Sequence, residues 1–62
     1  MAKFLITEDK KGEYRWKLVS GNGSVIALSG ESYKAKDSCV SGIEAIKRDA
    51  GTAPVFQVVE DK

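Results

Sequence analysis

Few side chains in this 62-residue sequence have the types needed for chemistry. Cys39 is the only cysteine, near the start of a helical pattern, where a helix dipole lowers a thiol pKa and favours a nucleophilic or redox role. The sequence has no histidine to serve as its base and no second cysteine to resolve an oxidised thiol. A lone cysteine on the apolar stripe of a helix therefore reads as core filling. The acid pairs Glu8-Asp9 and Glu60-Asp61 fall in a turn and a tail. Nothing sets two carboxylates across a cleft as glycoside hydrolysis requires. No Cys or His cluster has metal-ligand spacing. The glycine-rich "SGNGSVIALSG" lies between two strand patterns rather than ahead of a helix, which makes it a hairpin turn and not a phosphate loop. The expectation is a non-enzymatic chain with no catalytic residue, no cofactor, no metal and no small-molecule ligand.

The elements that position these residues follow from periodicity. "KFLIT" (residues 3–7) is short, apolar and β-prone, and the polar turn Asp9 to Gly12 follows it. "EYRWKLV" alternates, with Tyr14, Trp16 and Leu18 on one face and Arg15, Lys17 and Val19 on the other. A two-residue loop at Asn22-Gly23 would place Trp16 and Leu18 with Val25 and Ala27. A three-residue loop, Gly21-Asn22-Gly23 with Gly23 left-handed, opposes Ser20 to Ser24, Leu18 to Ile26 and Trp16 to Leu28. The second register gathers the larger apolar residues and is preferred. Ile6 opposite Tyr14 and Phe4 opposite Trp16 complete a three-stranded antiparallel meander.

Its cover is a helix from about Asp37 to Ala50, with Cys39, Gly42, Ile43, Ile46 and Ala50 at steps of three or four. Asp37 or Ser38 can cap its start, Lys47 and Arg48 suit its last turn, Gly51 ends it, and Glu44 can pair with Arg48. Gly42 allows close approach to the sheet, and Tyr33 either packs over the helix start or marks a contact site. After Pro54, "VFQVV" (55–59) reads as a last strand, pairing within its own sheet or crossing to a second copy. Four apolar residues in five resemble a strand buried on both sides more than a solvent edge. The fold class is α+β, a single β-β-β-α-β unit spanning residues 1–62.

Composition narrows the partners. Ten basic against nine acidic residues give a net charge of +1, with no overall bias towards nucleic acid or membrane. The N-terminus leaves no room for a signal-peptide core, and no apolar run approaches the ~20 residues of a membrane span. A soluble cytoplasmic protein is expected. Chains this small usually gain stability from disulfides, metals or association. With one cysteine and no metal cluster, an association partner is the option left standing, beside a well-packed monomer. The runner-up is nucleic acid, bound through Lys3, Arg15 and Lys17 on the sheet face away from the helix. Against it, the aromatics point the other way, and cations commonly just solvate an open sheet face.

Gly12, Tyr14, Arg15, Trp16 and Leu18, followed by Asn22-Gly23, Ile26, Ser29, Tyr33, Lys36 and "SCVSGI", form a set that resembles the YegP-like family. These are small bacterial proteins of uncharacterised function. The resemblance spans nearly the whole chain and implies no activity, cofactor or catalytic residue. It implies either two tandem copies of the unit or one copy that dimerises, the units joining in a common sheet by exchanging C-terminal strands. For this chain it implies a homodimer with Val55, Phe56, Val58 and Val59 at the interface.

Overall fold

Two loops of one construction set the sheet. The computed structural model describes residues 1–60 and places β1 at Lys3–Glu8, β2 at Tyr14–Val19 and β3 at Val25–Leu28. Between β1 and β2, Asp9 N donates to Glu13 O at 2.9 Å and Gly12 N to Asp9 O at 3.0 Å. Between β2 and β3, Ser20 N donates to Ser24 O at 2.8 Å and Gly23 N to Ser20 O at 3.0 Å. In both loops the fourth residue is a glycine at positive φ, 81° for Gly12 and 93° for Gly23. Each is a tight turn closed by a left-handed glycine bulge, a conformation costly for any side chain with a Cβ. A side-chain oxygen clamps each loop. Asp9 Oδ1 accepts from Lys11 N at 2.9 Å and Glu13 N at 3.0 Å. Asn22 Oδ1 accepts from Ser24 N at 3.1 Å and from the Ser20 hydroxyl.

The three strands form an antiparallel meander in the order β1-β2-β3, as the alternation requires. The expected registers are corrected in two places. On β1, Ile6 faces Trp16, Phe4 faces Leu18 and Glu8 faces Tyr14. This shift of two residues leaves every side chain on its expected face. Phe4 still meets Trp16 diagonally, edge to face, with ring centroids 5.6 Å apart. On β3, Val19 faces Val25, but Leu18 faces Ala27 and Lys17 faces Leu28. A bulge at Ile26 inserts one residue into β3 and reverses the faces beyond it. Ala27 therefore packs against the core. Ile26 and Leu28 stay exposed, at 57% and 67%.

Past β3, Ser29 N donates to Trp16 O at 3.0 Å. The chain then loops out and rejoins at Tyr33, which exchanges backbone bonds of 2.7 and 2.8 Å with Tyr14. Helix α1, Lys36–Asp49, follows and covers that side of the sheet. Trp16, Cys39 and Ile43 are its buried centre, ringed by Phe4, Ile6, Tyr14, Leu18, Tyr33 and Ile46. Each such apolar side chain contributes about 1.5–3 kcal/mol on full burial. Gly42 serves one neighbour in particular. A Cβ there would lie 2.7 Å from Tyr33 Oη and 3.2 Å from Cζ, so the tyrosine ring occupies the space a side chain would take.

The helix ends also differ from expectation. Ala35, not Asp37 or Ser38, holds the N-cap position, with no side-chain cap; Asp37 lies in the first turn, where its charge suits the dipole. The helix passes into a 3-10 turn at Ala50–Thr52, and Gly51 keeps a negative φ. Glu44 pairs with Lys47 at 3.7 Å, while Arg48 turns to the adjacent Asp49 at 3.1 Å. Both pairs are exposed and worth a few tenths of a kcal/mol, about the value of any solvated ion pair.

Residues 53–60 belong to no strand of the chain. The expected strand over 55–59 is absent because strand hydrogen bonds need a partner edge, and the segment pairs with neither edge of its own sheet. It stands away from the body. The radius of gyration is 13.7 Å, against about 10.6 Å for a compact chain of this length.

Candidate functional site

Three places were singled out by residue type, and the structure treats them differently. Cys39 is 0% exposed in the helix-covered core. Burial pushes its thiol up from the ordinary value, opposite to the lowering a helix N-terminus would give. Asp9 is held below the usual carboxylate range, first by the Glu13 N–H, then by the Lys11 N–H and the charges of Arg15 and Lys11, against a partial desolvation. Its work is to hold a turn. Glu8 is exposed on β1 and Glu60 is exposed near the end of the described chain, while Asp61 lies outside the described residues. Among the described residues, no three acids, cysteines or histidines are grouped to hold a metal, and no helix is long and apolar enough to cross a membrane.

Lys3, Arg15 and Lys17 share the face away from the helix, as expected. Their cross-strand partners are Val19 for Lys3, Thr7 for Arg15, and Leu5 and Leu28 on either side of Lys17. Tyr14 and Trp16 belong to the opposite, helix-covered face, so the cations have no aromatic platform beside them. A hollow of about 160 Å³ opens on the basic face, lined by Thr7, Arg15, Trp16, Lys17, Leu28 and Ser29. Sequence reasoning missed it because it depends on the β3 bulge, which brings Leu28 opposite Lys17. It also missed the indole nitrogen of Trp16, which is buried with no acceptor among the described residues. An unsatisfied donor of that kind costs about 1–3 kcal/mol.

A second exposed surface is apolar. Val55, Phe56, Val58 and Val59 are 96%, 80%, 76% and 87% exposed. β3 is an edge strand, and Val25, Ile26 and Leu28 on it are more than half exposed. Such an edge presents a row of unpaired N–H and C=O groups able to accept another strand. Where the last segment leaves the helix, Ala45, Ile46, Asp49, Ala50 and Ala53 line an open, mostly apolar hollow of about 280 Å³.

A three-stranded meander under one helix, with an unpaired apolar segment after it, defines a small α+β module. The chain belongs to the family described as a domain of unknown function, DUF1508, whose model matches residues 9–57. It is 46% identical over 56 residues to a UPF0339 protein of Treponema denticola, covering 90% of this chain and 95% of that one. It is 39% identical over 57 residues to the UPF0339 protein PA0329 of Pseudomonas aeruginosa, covering 92% of this chain but 51% of the relative. That relative has the length for two such units. The solution NMR structure of a protein from Haloferax volcanii superposes with a TM-score of 0.83 at 42% identity, over 92% of this chain and 95% of that chain. The YegP-like resemblance and the α+β fold are therefore correct, and the expectation of a purely bacterial family is corrected by an archaeal relative. None of these names carries an activity.

Proposed function

We propose that the chain is a non-enzymatic assembly module whose working form is a homodimer. Residues 55–59 of each copy add as a strand to the β3 edge of the other. The observation that carries this reading is the exposure of Val55, Phe56, Val58 and Val59, each more than three-quarters open to solvent in a segment that no strand of its own chain pairs. The partner is argued from the same molecule. Its β3 edge is open and its exposed residues, Val25, Ile26 and Leu28, match the apolar character of the segment. A relative long enough for two units supports a paired arrangement reached within one chain. The free, buried Cys39 suits a reducing compartment, the cytoplasm. The module's role is to present a joined sheet as a binding or structural surface.

Light scattering on a sizing column tests this across a dilution series. The full chain should run at twice its mass of 6.7 kDa. A chain ending at Pro54, or carrying Val58→Asp, should run as a folded monomer, because the segment contributes nothing to its own core. A full chain that is monomeric at high concentration, or a truncated chain that still dimerises, would overturn the proposal.

A further inference from the structure

We infer that the open face of the sheet carries a binding site for one phosphate-type oxyanion, built by Arg15, Lys17, Thr7 and Ser29. The site does not rest on the dimer proposal, although Leu28 borders both the hollow and the β3 edge. Alternation sets Arg15 and Lys17 on one face of β2, about 7 Å apart along the strand. Register places Thr7 directly across from Arg15 on β1, and Leu28 directly across from Lys17 on β3. The bulge at Ile26 brings Ser29 beside the backbone of Trp16, whose N–H its hydroxyl oxygen accepts at 3.4 Å. A hydroxyl accepting one bond still has its own proton to donate. Two cations and two hydroxyls thus line one hollow of about 160 Å³. The hollow has room for a phosphate group.

The charge around this hollow is unusual for a solvated sheet face. Opposite charges commonly pair across strands on such a face. Here the strand positions are Lys3, Leu5, Thr7, Arg15, Lys17, Val19, Val25 and Leu28, three cations and no carboxylate, with Glu13 just ahead of β2 the one acid in phase with Arg15 on that strand. The chain as a whole carries only +1, so the face concentrates charge rather than reflecting a basic protein. Among the described residues, neither Arg15 nor Lys17 makes an ion pair. Asp9, the acid that feels Arg15, is already committed to the Lys11 and Glu13 N–H groups. A guanidinium fork, an ammonium and hydroxyl donors bordering one hollow match the several oxygens of a tetrahedral anion.

The test is a titration of the full chain, followed by two-dimensional amide NMR at constant ionic strength, with inorganic phosphate as the probe. Saturable shifts confined to residues 7, 15–17, 28 and 29 are expected. Arg15→Gln or Lys17→Gln should raise the Kd about tenfold or more. Lys47→Gln on the helix should leave it unchanged. Thr7→Val keeps both charges and should still weaken binding severalfold, which general electrostatic attraction would not produce. A mononucleotide and a single-stranded oligonucleotide then distinguish the source of the phosphate. Equal affinity identifies a free phosphoester, and affinity rising with length identifies a nucleic-acid backbone; both support the site. A non-saturating drift spread over all lysine-bearing segments, or unchanged affinity in the Arg15 and Lys17 variants, would overturn it.

Discussion

The helix-covered face of the sheet and the surface formed by β3 and the last segment are built from the same kinds of side chain but are completed differently. On the covered face, Trp16, Cys39 and Ile43 are at most 8% exposed. At the other surface, Phe56 is 80% exposed and the valines around it are as open or nearly so. An aromatic residue in each place makes the contrast measurable. The covered face is self-sufficient, because helix and sheet meet within one chain. The apolar segment and the edge are each half of a contact whose other half lies on another molecule under the proposed assembly. Apolar burial is the principal driving force in small domains, and one chain completes it on the covered face only.

The largest effect should come from truncating the two aromatics. Trp16→Ala removes the centre of the covered core and should cost about 3–5 kcal/mol, enough to unfold so small a domain in a urea titration. Phe56→Ala, diluted to the monomer, should stay within about 0.5 kcal/mol of the parent. Equal losses would break the comparison and place the last segment inside the monomer's own core.

Next in size is the contact between helix and sheet. Alanine at a helical glycine normally gains about 1 kcal/mol. Gly42→Ala should instead destabilise by about 1–2 kcal/mol, because its Cβ would lie 2.7 Å from Tyr33 Oη and 3.2 Å from Cζ. In a Tyr33→Leu background the same change should become neutral or stabilising, read from a thermal double-mutant cycle. Gly23→Ala tests the hairpin in the same way. No atom crowds that position, so only its φ of 93° opposes a side chain. The loss should be about 1 kcal/mol in chemical denaturation.

The smallest effects are in pH. The Cys39 thiol is raised by burial, so its contribution is full below the ordinary thiol pKa and is lost as pH climbs through the folded value. Asp9 is lowered, so its contribution is present above the ordinary carboxyl pKa and is lost as pH falls through the folded value. Cys39→Ala should flatten the alkaline limb of a melting-temperature profile, and Asp9→Asn the acid limb.

Face assignment was legible in the sequence, because a period of two in Tyr14, Trp16 and Leu18 and steps of three and four in Cys39, Ile43 and Ile46 leave little choice. Register was less so. A shift of two along β1 moves no side chain between faces, so hydrophobicity gives no signal for it. The glycine ending "DKKG" did carry one, since it closes its loop as Gly23 closes the next. The bulge at Ile26 left no mark, as "VIAL" is apolar throughout, and it alone decides that Leu28 faces out beside Lys17. That is why the basic residues could be placed on a face while the hollow between them could not be foreseen. The helix start was misplaced because Ala35 supplies no side-chain cap to recognise. The last segment reads as a strand by composition, yet pairing is a property of two segments, and the composition of one does not identify the other.

The two glycine-closed loops bear on how the protein is made. Each joins neighbouring strands through three residues, and the closure of so short a loop takes well under a microsecond. The two hairpins therefore form from local contacts alone, and the helix that seals the core ends before residue 53. The apolar segment beyond it contributes no residue to that core. The body can fold to completion without residues 55–59, and they remain exposed once it has.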